Sequence, residues 1–258
     1  MKIQVLVATM HQTDHSLPEK MNIQTDAIII NQCDRTAYEE FSYNGHTIRF
    51  ISTTQRGLSR SRNMAISYAD GDICLIADDD IRYVDGYADA VKKAFEEQPK
   101  ADIMAFNAYM VGDESGRTRR VIEKNKEVSK HRYYSSVRLA FRLQKFQKIA
   151  LRFNELFGAG APYCMGEESL VLREARKKGL RFYQNTAYVS EVDCSSSTWF
   201  QGCDEKYYFN KGVFLGATYG RTAWIFKWYF IWQGRHEKIG VKAVYQNLKK
   251  GIKAYKNL

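Results

Sequence analysis

The sequence lacks the marks of several protein classes. Its five cysteines are odd in number and include no C-x-x-C pair, which predicts reduced thiols and no disulfide framework. The apolar run after Met1 and Lys2 is only a handful of residues, too short for a signal peptide. The most apolar late stretch, Val213 to Trp232, is broken by Arg221 and Lys227 and reads poorly as a membrane span. The histidines (His11, His15, His46, His131, His236) are scattered without metal-ligand spacing. The sequence also has no G-x-x-x-x-G-K-[ST], G-x-G-x-x-G, H-E-x-x-H or G-x-S-x-G motif. These absences predict a cytoplasmic protein outside the P-loop, dinucleotide-binding, zinc-protease and serine-hydrolase classes.

The 258 residues are 45% apolar and 26% charged, enough for one well-packed domain with a small appendage. That balance excludes a disordered chain, a collagen and a coiled coil. The net charge of +10 is unevenly placed. Residues 1–130 hold 17 Lys/Arg against 20 Asp/Glu, a net −3, and residues 131–258 hold 22 against 9, a net +13. The second half therefore faces an anionic partner (nucleic acid, lipid headgroups or a phosphorylated ligand) or carries a merely solvated basic surface.

Periodicity predicts the fold. Ile3–Thr9, Ala27–Asn31, Thr47–Thr53, Ile73–Ala77 and Asp102–Met110 are short apolar runs of strand type. Helical spacing is found in Leu58–Ala69, in Val84–Gln98 up to Pro99, and in Glu167–Lys178 up to Gly179. Continuous apolar strands alternating with helices predict an α/β fold with a mostly parallel, twisted sheet covered on both faces. Functional groups should lie beyond the carboxyl ends of its strands. Arg117 to Tyr134 reads as a loop or short hairpin, Val137 to Phe157 as a long amphipathic stretch, and Leu180 to Val192 as a strand. From Asp204 onward the chain reads as helical, with Val241, Val244, Tyr245, Leu248, Ile252 and Tyr255 on one stripe.

Asp78, Asp79 and Asp80 follow the ICLIA strand without a spacer. Three adjacent carboxylates repel one another, and stability alone gives no reason to keep them. A hard divalent cation, Mg²⁺ or Mn²⁺ sharing its shell with substrate phosphates, would explain the cluster; a solvated acidic turn is the plainer alternative. If the strand alternation continues through the triplet, Asp78 and Asp80 address one ligand and Asp79 faces elsewhere. The segment from Gln55 to Asn63 opens the preceding helix: Gly57 allows an unusual backbone angle, and Ser59 or Ser61 can cap it. Arg60 and Arg62 stand at that helix start, which is unfavourable for cations unless an anion is near. Glu167 and Glu168 begin a later helix after a small apolar loop, as dipole complements or as partly buried carboxylates fit to accept a proton.

In their order and spacing, RGLSRSRNMAI, ICLIADDDI and GEESLVLREARKKGLRF resemble the family 2 glycosyltransferases of the GT-A fold, over roughly Ile3 to Thr198. The resemblance implies transfer of a sugar from a nucleotide diphosphate sugar, a UDP sugar foremost, to a hydroxyl, with inversion. It makes ADDD the family's DxD element, with Asp78 and Asp80 toward the ribose-diphosphate and the metal and Asp79 between them. It puts Ala8, Thr9 and Met10 at the nucleoside, Asp34 at the base, and Arg60, Arg62 and Asn63 near the nucleotide. Glu168 becomes the catalytic base with Glu167 beside it; the family usually has Asp at the base position, so the carboxylate here sits about one C–C bond further out. Many relatives place a metal-binding His after the strand near Tyr188, where this sequence offers Glu191 and Asp193.

The domain boundaries implied are a catalytic domain over 1–204, its nucleotide-sugar half about 1–112 and its acceptor half about 113–204, followed by a basic aromatic helical extension over 205–258. That extension holds 11 Lys/Arg and two acids among its tryptophans and tyrosines. It suits an anionic membrane surface at the inner face and an enzyme building surface polysaccharide on a glycan or lipid-linked acceptor; packing over the sheet or an oligomer interface is the alternative. Without a helix-turn-helix or zinc signature, no nucleic-acid partner is expected. A metal-dependent phosphohydrolase or nucleotidyltransferase, or a non-catalytic sugar-nucleotide binder, is the rival class.

Overall fold

Buried strands stack side by side where the sequence is β-branched and apolar. The computed structural model describes residues 1–112, 121–129, 132–194, 202–236 and 238–256. Strand β1 (Ile3–Met10) lies at the centre and pairs in parallel with β2 (Asp26–Gln32) and β5 (Ile73–Asp78). β4 (His46–Thr53) extends the parallel set beyond β2, and β10 (Phe182–Asp193) pairs in parallel with β7 (Ile103–Val111). The antiparallel members are β3 (Ala37–Tyr43) at one edge, β6 (Ile81–Tyr83) at the other, and β9 (Leu139–Arg142), inserted between β5 and β7. A two-residue strand, β8 (Lys126–Glu127), pairs with β10. The parallel strands β1, β2 and β5 have continuous buried apolar runs, as expected for strands covered on both faces.

Alternate residues of each strand feed two cores. Val5, Val7, Ile29, Phe50, Leu75 and Met104 point to the face covered by α1 (Leu17–Lys20) and α3 (Tyr87–Glu97). Leu6, Ile28, Ile30, Ile76 and Ala105 point to the face covered by α2 (Leu58–Tyr68), α4 (Leu143–Lys148) and α5 (Glu167–Lys177). The amphipathic stretch from Val137 to Phe157 is divided: β9 enters the sheet, α4 follows, and residues 151–157 run irregularly past α2. Much of the expected 117–134 loop or hairpin (113–120, 130 and 131) lies outside the described residues; its described part pairs with β10 rather than with itself.

The last helices, α6 (Glu205–Tyr219), α7 (Ala223–Gln233) and α8 (Gly240–Lys256), enclose a third core of Tyr208, Leu215, Ala223, Ile231, Val244, Leu248 and Ile252. On α8 the predicted stripe turns inward at Val244, Leu248 and Ile252, while Val241 is exposed. Backbones of α6 and α8 approach closely: a methyl group on Gly251 would collide with the Phe209 carbonyl, and one on Gly212 with that of Leu248.

Candidate functional site

Strands β1 and β5 end side by side, with Ala8 opposite Asp78, at the edge where parallel sheets open their ligand crevices. β5 stops at Asp78, and Asp79 and Asp80 form a turn, so strand alternation does not extend through the triplet as the sequence suggested. Asp79 accepts a hydrogen bond from the Thr9 hydroxyl, to which Gln12 in turn donates. The Asp80 carbonyl accepts from the amide of Asp193 at the end of β10 (3.0 Å). Asp80 as a residue is exposed. Crowding by protein atoms nonetheless strips part of its hydration; with the charges of Asp78, Asp79 and Asp193 this raises its pKa to about 6.

Arg62 joins these strand ends to the start of α5. Its side chain is 3% exposed. Nη2 reaches both oxygens of Asp78 (3.0 and 3.2 Å) and donates to the Ser136 hydroxyl (2.7 Å), and Nη1 reaches Glu167 (3.3 Å). Ser136 donates twice to Glu168 Oε1, from its hydroxyl (2.8 Å) and its amide (3.2 Å). One guanidinium therefore serves three carboxylates. Burial works against its charge, but Asp78, Glu168 and Glu167 outweigh that and strengthen its hold on the proton. Glu167 is buried, and loss of hydration together with the Glu168 charge raises its pKa to about 7 against the opposing pull of Arg62. Glu168 is half-buried, with one oxygen fixed by Ser136.

Local sequence explains how these groups are held. Gly57 caps α2 at φ +118°, an angle that L side chains rarely adopt, and Gly160 lies against it. The Leu58 amide donates to the Ala159 carbonyl (2.9 Å), so the loop before α2 is tied to the small-residue loop before α5. The expected serine cap is not made: Ser59 donates instead to the Phe157 carbonyl (2.6 Å). Gly166, in the left-handed conformation, caps α5 and sets Glu167 and Glu168 in its first turn.

Of the residues singled out from the sequence, Thr9, Arg62, Asp78, Asp79, Asp80, Glu167 and Glu168 come together at this edge. Ala8 is buried within β1, and Met10 is exposed at its end. Asp34 lies just beyond the end of β2, exposed and bound by Arg56 (2.6 Å). Arg60 points to Glu155 (3.1 Å), and Asn63 is held by the backbone of Phe153 and by Glu155. Ser136 was missed because an isolated serine carries no periodicity or charge signal. Among the described residues no three carboxylate, imidazole or thiolate groups converge tightly enough to enclose an ion. Asp80, with Asp193 near it, supplies hard oxygen donors that could serve a cation only if further ligands came from elsewhere.

The sequence model of the family described as "Glycosyl transferase family 2" matches residues 19–180. Solved structures of S. aureus TarS have a similar fold. TarS 1–349 aligns at 13% identity with a TM-score of 0.64, covering 99% of this chain and 83% of that one. Its complex with UDP-GlcNAc aligns at 14% identity with a TM-score of 0.63, covering 93% and 74%. Its complex with UDP aligns at 14% with a TM-score of 0.61, covering 92% and 72%. No curated protein matches the chain in sequence.

Proposed function

The chain belongs to glycosyl transferase family 2, and from that premise we propose that it moves a sugar from a nucleotide diphosphate sugar to a hydroxyl of a glycan or lipid-linked acceptor, with inversion, in surface polysaccharide synthesis. The observation that carries this reading is the meeting of three strand-end aspartates with a buried arginine and a glutamate pair at one sheet edge. The UDP and UDP-GlcNAc bound in the TarS structures support a UDP sugar as donor. Family membership disfavours the phosphohydrolase and nucleotidyltransferase alternatives.

In this reading Ala8, Thr9, Met10 and Asp34 receive the nucleoside, and Arg62 and Asp78 hold the rim of the diphosphate site. Asp80, with Asp193 beside it, takes Mn²⁺ or Mg²⁺, which when bound offsets the charge that builds on the departing diphosphate. Asp78 is already paired with Arg62, which leaves Asp80 the freer ligand. Glu168 is half-open to solvent and takes the proton of the acceptor hydroxyl as that oxygen attacks the anomeric carbon. The bond from that carbon to the β-phosphate oxygen breaks on the opposite face, and its electron pair leaves with the nucleotide. Glu167, buried against Arg62, supports the geometry rather than reaching the acceptor.

A thermal-shift screen of UDP-, GDP-, CMP- and dTDP-sugars with Mn²⁺ or Mg²⁺ tests the reading. The expected result is a metal-dependent rise with UDP sugars, with nucleotide released when an acceptor is added. A rise without turnover on any acceptor would support the non-catalytic binder instead, and no rise with any donor would overturn the reading.

A further inference from the structure

Helix α7 (AWIFKWYFIWQ) is apolar on nearly every side, yet only Ala223 and Ile231 are buried. A helix that is hydrophobic all round is normally covered. Trp224 (60% exposed), Ile225, Trp228, Tyr229 and Trp232 (60%) stay open. At about 100° per residue these five span an arc of about 140° on the helix, with Ala223 and Phe230 opposite it and Ile231 at its edge; Phe226, also exposed, lies outside the arc against Tyr219. Cations surround them. Arg221 and Arg235 flank the helix, the Arg235 guanidinium stands 4.3 Å from the Trp232 ring centre, and the Lys227 ammonium lies over Trp228 and Tyr245 (5.1 and 4.4 Å). The apolar stripe of α8 is used internally, so α7 holds the uncovered surface.

We propose that this face of α7 docks the protein on an anionic lipid bilayer. Charge decides between a bilayer and a second copy of the chain. Residues 205–258 hold 11 Lys/Arg against two acids, so two copies joined through this face would bring like charges together, whereas phosphate headgroups complement them. Tryptophan and tyrosine rings, apolar in body and polar at one edge, suit the headgroup boundary, and flanking arginines and lysines reach the phosphates. No helix among the described residues is long and apolar enough to cross a membrane, so the contact is lateral: α7 lies in the interface plane. The helices connect to the candidate site directly. Phe214 of α6 packs under Gly166, and Asn210 donates to the Cys164 thiol (3.0 Å), both beside the loop that presents Glu168. Docking would thus hold that loop near the membrane surface, where a lipid-linked acceptor lies. This purpose rests on the glycosyl-transfer reading, but the docking itself is tested without it.

The test is flotation of the full chain with vesicles of phosphatidylcholine, with and without phosphatidylglycerol, at low and high salt. It is read together with tryptophan emission, since three of the four tryptophans lie on α7. The expected result is flotation only with anionic vesicles, weakened by salt, with a blue shift of the emission. Combined Trp224→Ala, Trp228→Ala and Trp232→Ala substitutions should weaken it by about tenfold or more. Combined Arg221→Glu and Arg235→Glu substitutions should weaken it too while leaving the far-ultraviolet circular dichroism in buffer unchanged. This second variant decides the matter if the first fails to fold. Absence of flotation, equal flotation with neutral vesicles, unaltered binding by the charge-reversed variant, or a dimer in light scattering that the tryptophan substitutions dissolve would each overturn the proposal.

Discussion

Replacing Arg62 with methionine keeps most of the buried stem and deletes the charge. Three partners lose their donor: Asp78 at 3.0 Å, Glu167 at 3.3 Å and the Ser136 hydroxyl at 2.7 Å. Breaking a buried ion pair by removing one member costs about 3–5 kcal/mol, because the remaining charge is left uncompensated. At about 2–4 °C per kcal/mol for a chain near this size, melting should fall by roughly 6–20 °C. The loss should depend on pH, and the sign follows from Glu167. Its folded pKa, about 7, lies above the ordinary 4.5, so the stability it lends is complete below 4.5 and is lost as pH rises through about 7. Without Arg62 that carboxyl holds its proton to a still higher pH. At pH 6 Glu167 is then protonated in both proteins, and the cost of the substitution comes mainly from Asp78. At pH 8 the wild-type glutamate is ionised beside its arginine while the variant must bury a proton or a bare charge, so the cost is larger. Urea unfolding at pH 6 and pH 8 measures both values. Adding Glu167→Gln to the variant should recover part of the loss at pH 8. A cost below about 1 kcal/mol at pH 8, the range of an exposed pair, or equal costs at the two pH values would refute the reasoning.

Other consequences are separately measurable. Glu168→Gln should leave donor binding intact, as read by thermal shift, and abolish sugar transfer; normal turnover would remove Glu168 from the base role. Ser136→Ala deletes a hydrogen bond to the Glu168 carboxylate, worth about 1.5–3 kcal/mol, and one accepted from Arg62, so kcat should fall about 10- to 150-fold with a smaller change in KM for the donor. The serine amide still holds Glu168, so a fall as complete as that of Glu168→Gln would contradict a positioning role. Gly251→Ala puts a methyl group against the Phe209 carbonyl and should destabilise the α6–α8 packing by about 1–3 kcal/mol in a thermal melt, with donor affinity unchanged.

The central parallel strands were legible because burial on both faces leaves an unbroken apolar run, as in AIIIN and ICLIA. The antiparallel ones were not. β3 alternates half-buried and exposed residues along AYEEFSY, and β6 spans only three residues. β9 was concealed inside a stretch whose lysines and arginines suggested one amphipathic element, though Ala140 and Phe141 are fully buried in the sheet. At the candidate site, groups adjacent in sequence were found first: the aspartate triplet and the glutamate pair. Their connections were out of reach, because Arg62 meets Asp78 across 16 residues and Glu167 across 105, and Ser136 meets Glu168 across 32. The strained-looking charge at the start of α2 did signal a nearby anion, but only the fold shows that Arg62 turns to the acid cluster while Arg60 turns to Glu155.

The central claim is that the acids closing β5 grip a cation-borne nucleotide diphosphate. Calorimetric titration of a UDP sugar into the wild-type chain and into Asp80→Asn, each with and without Mn²⁺, tests it most directly. The account predicts manganese-dependent binding to the wild type and at least about tenfold weaker binding to the variant, the loss of one charged ligand. Equal affinities for the two proteins, or binding indifferent to the metal, would contradict it.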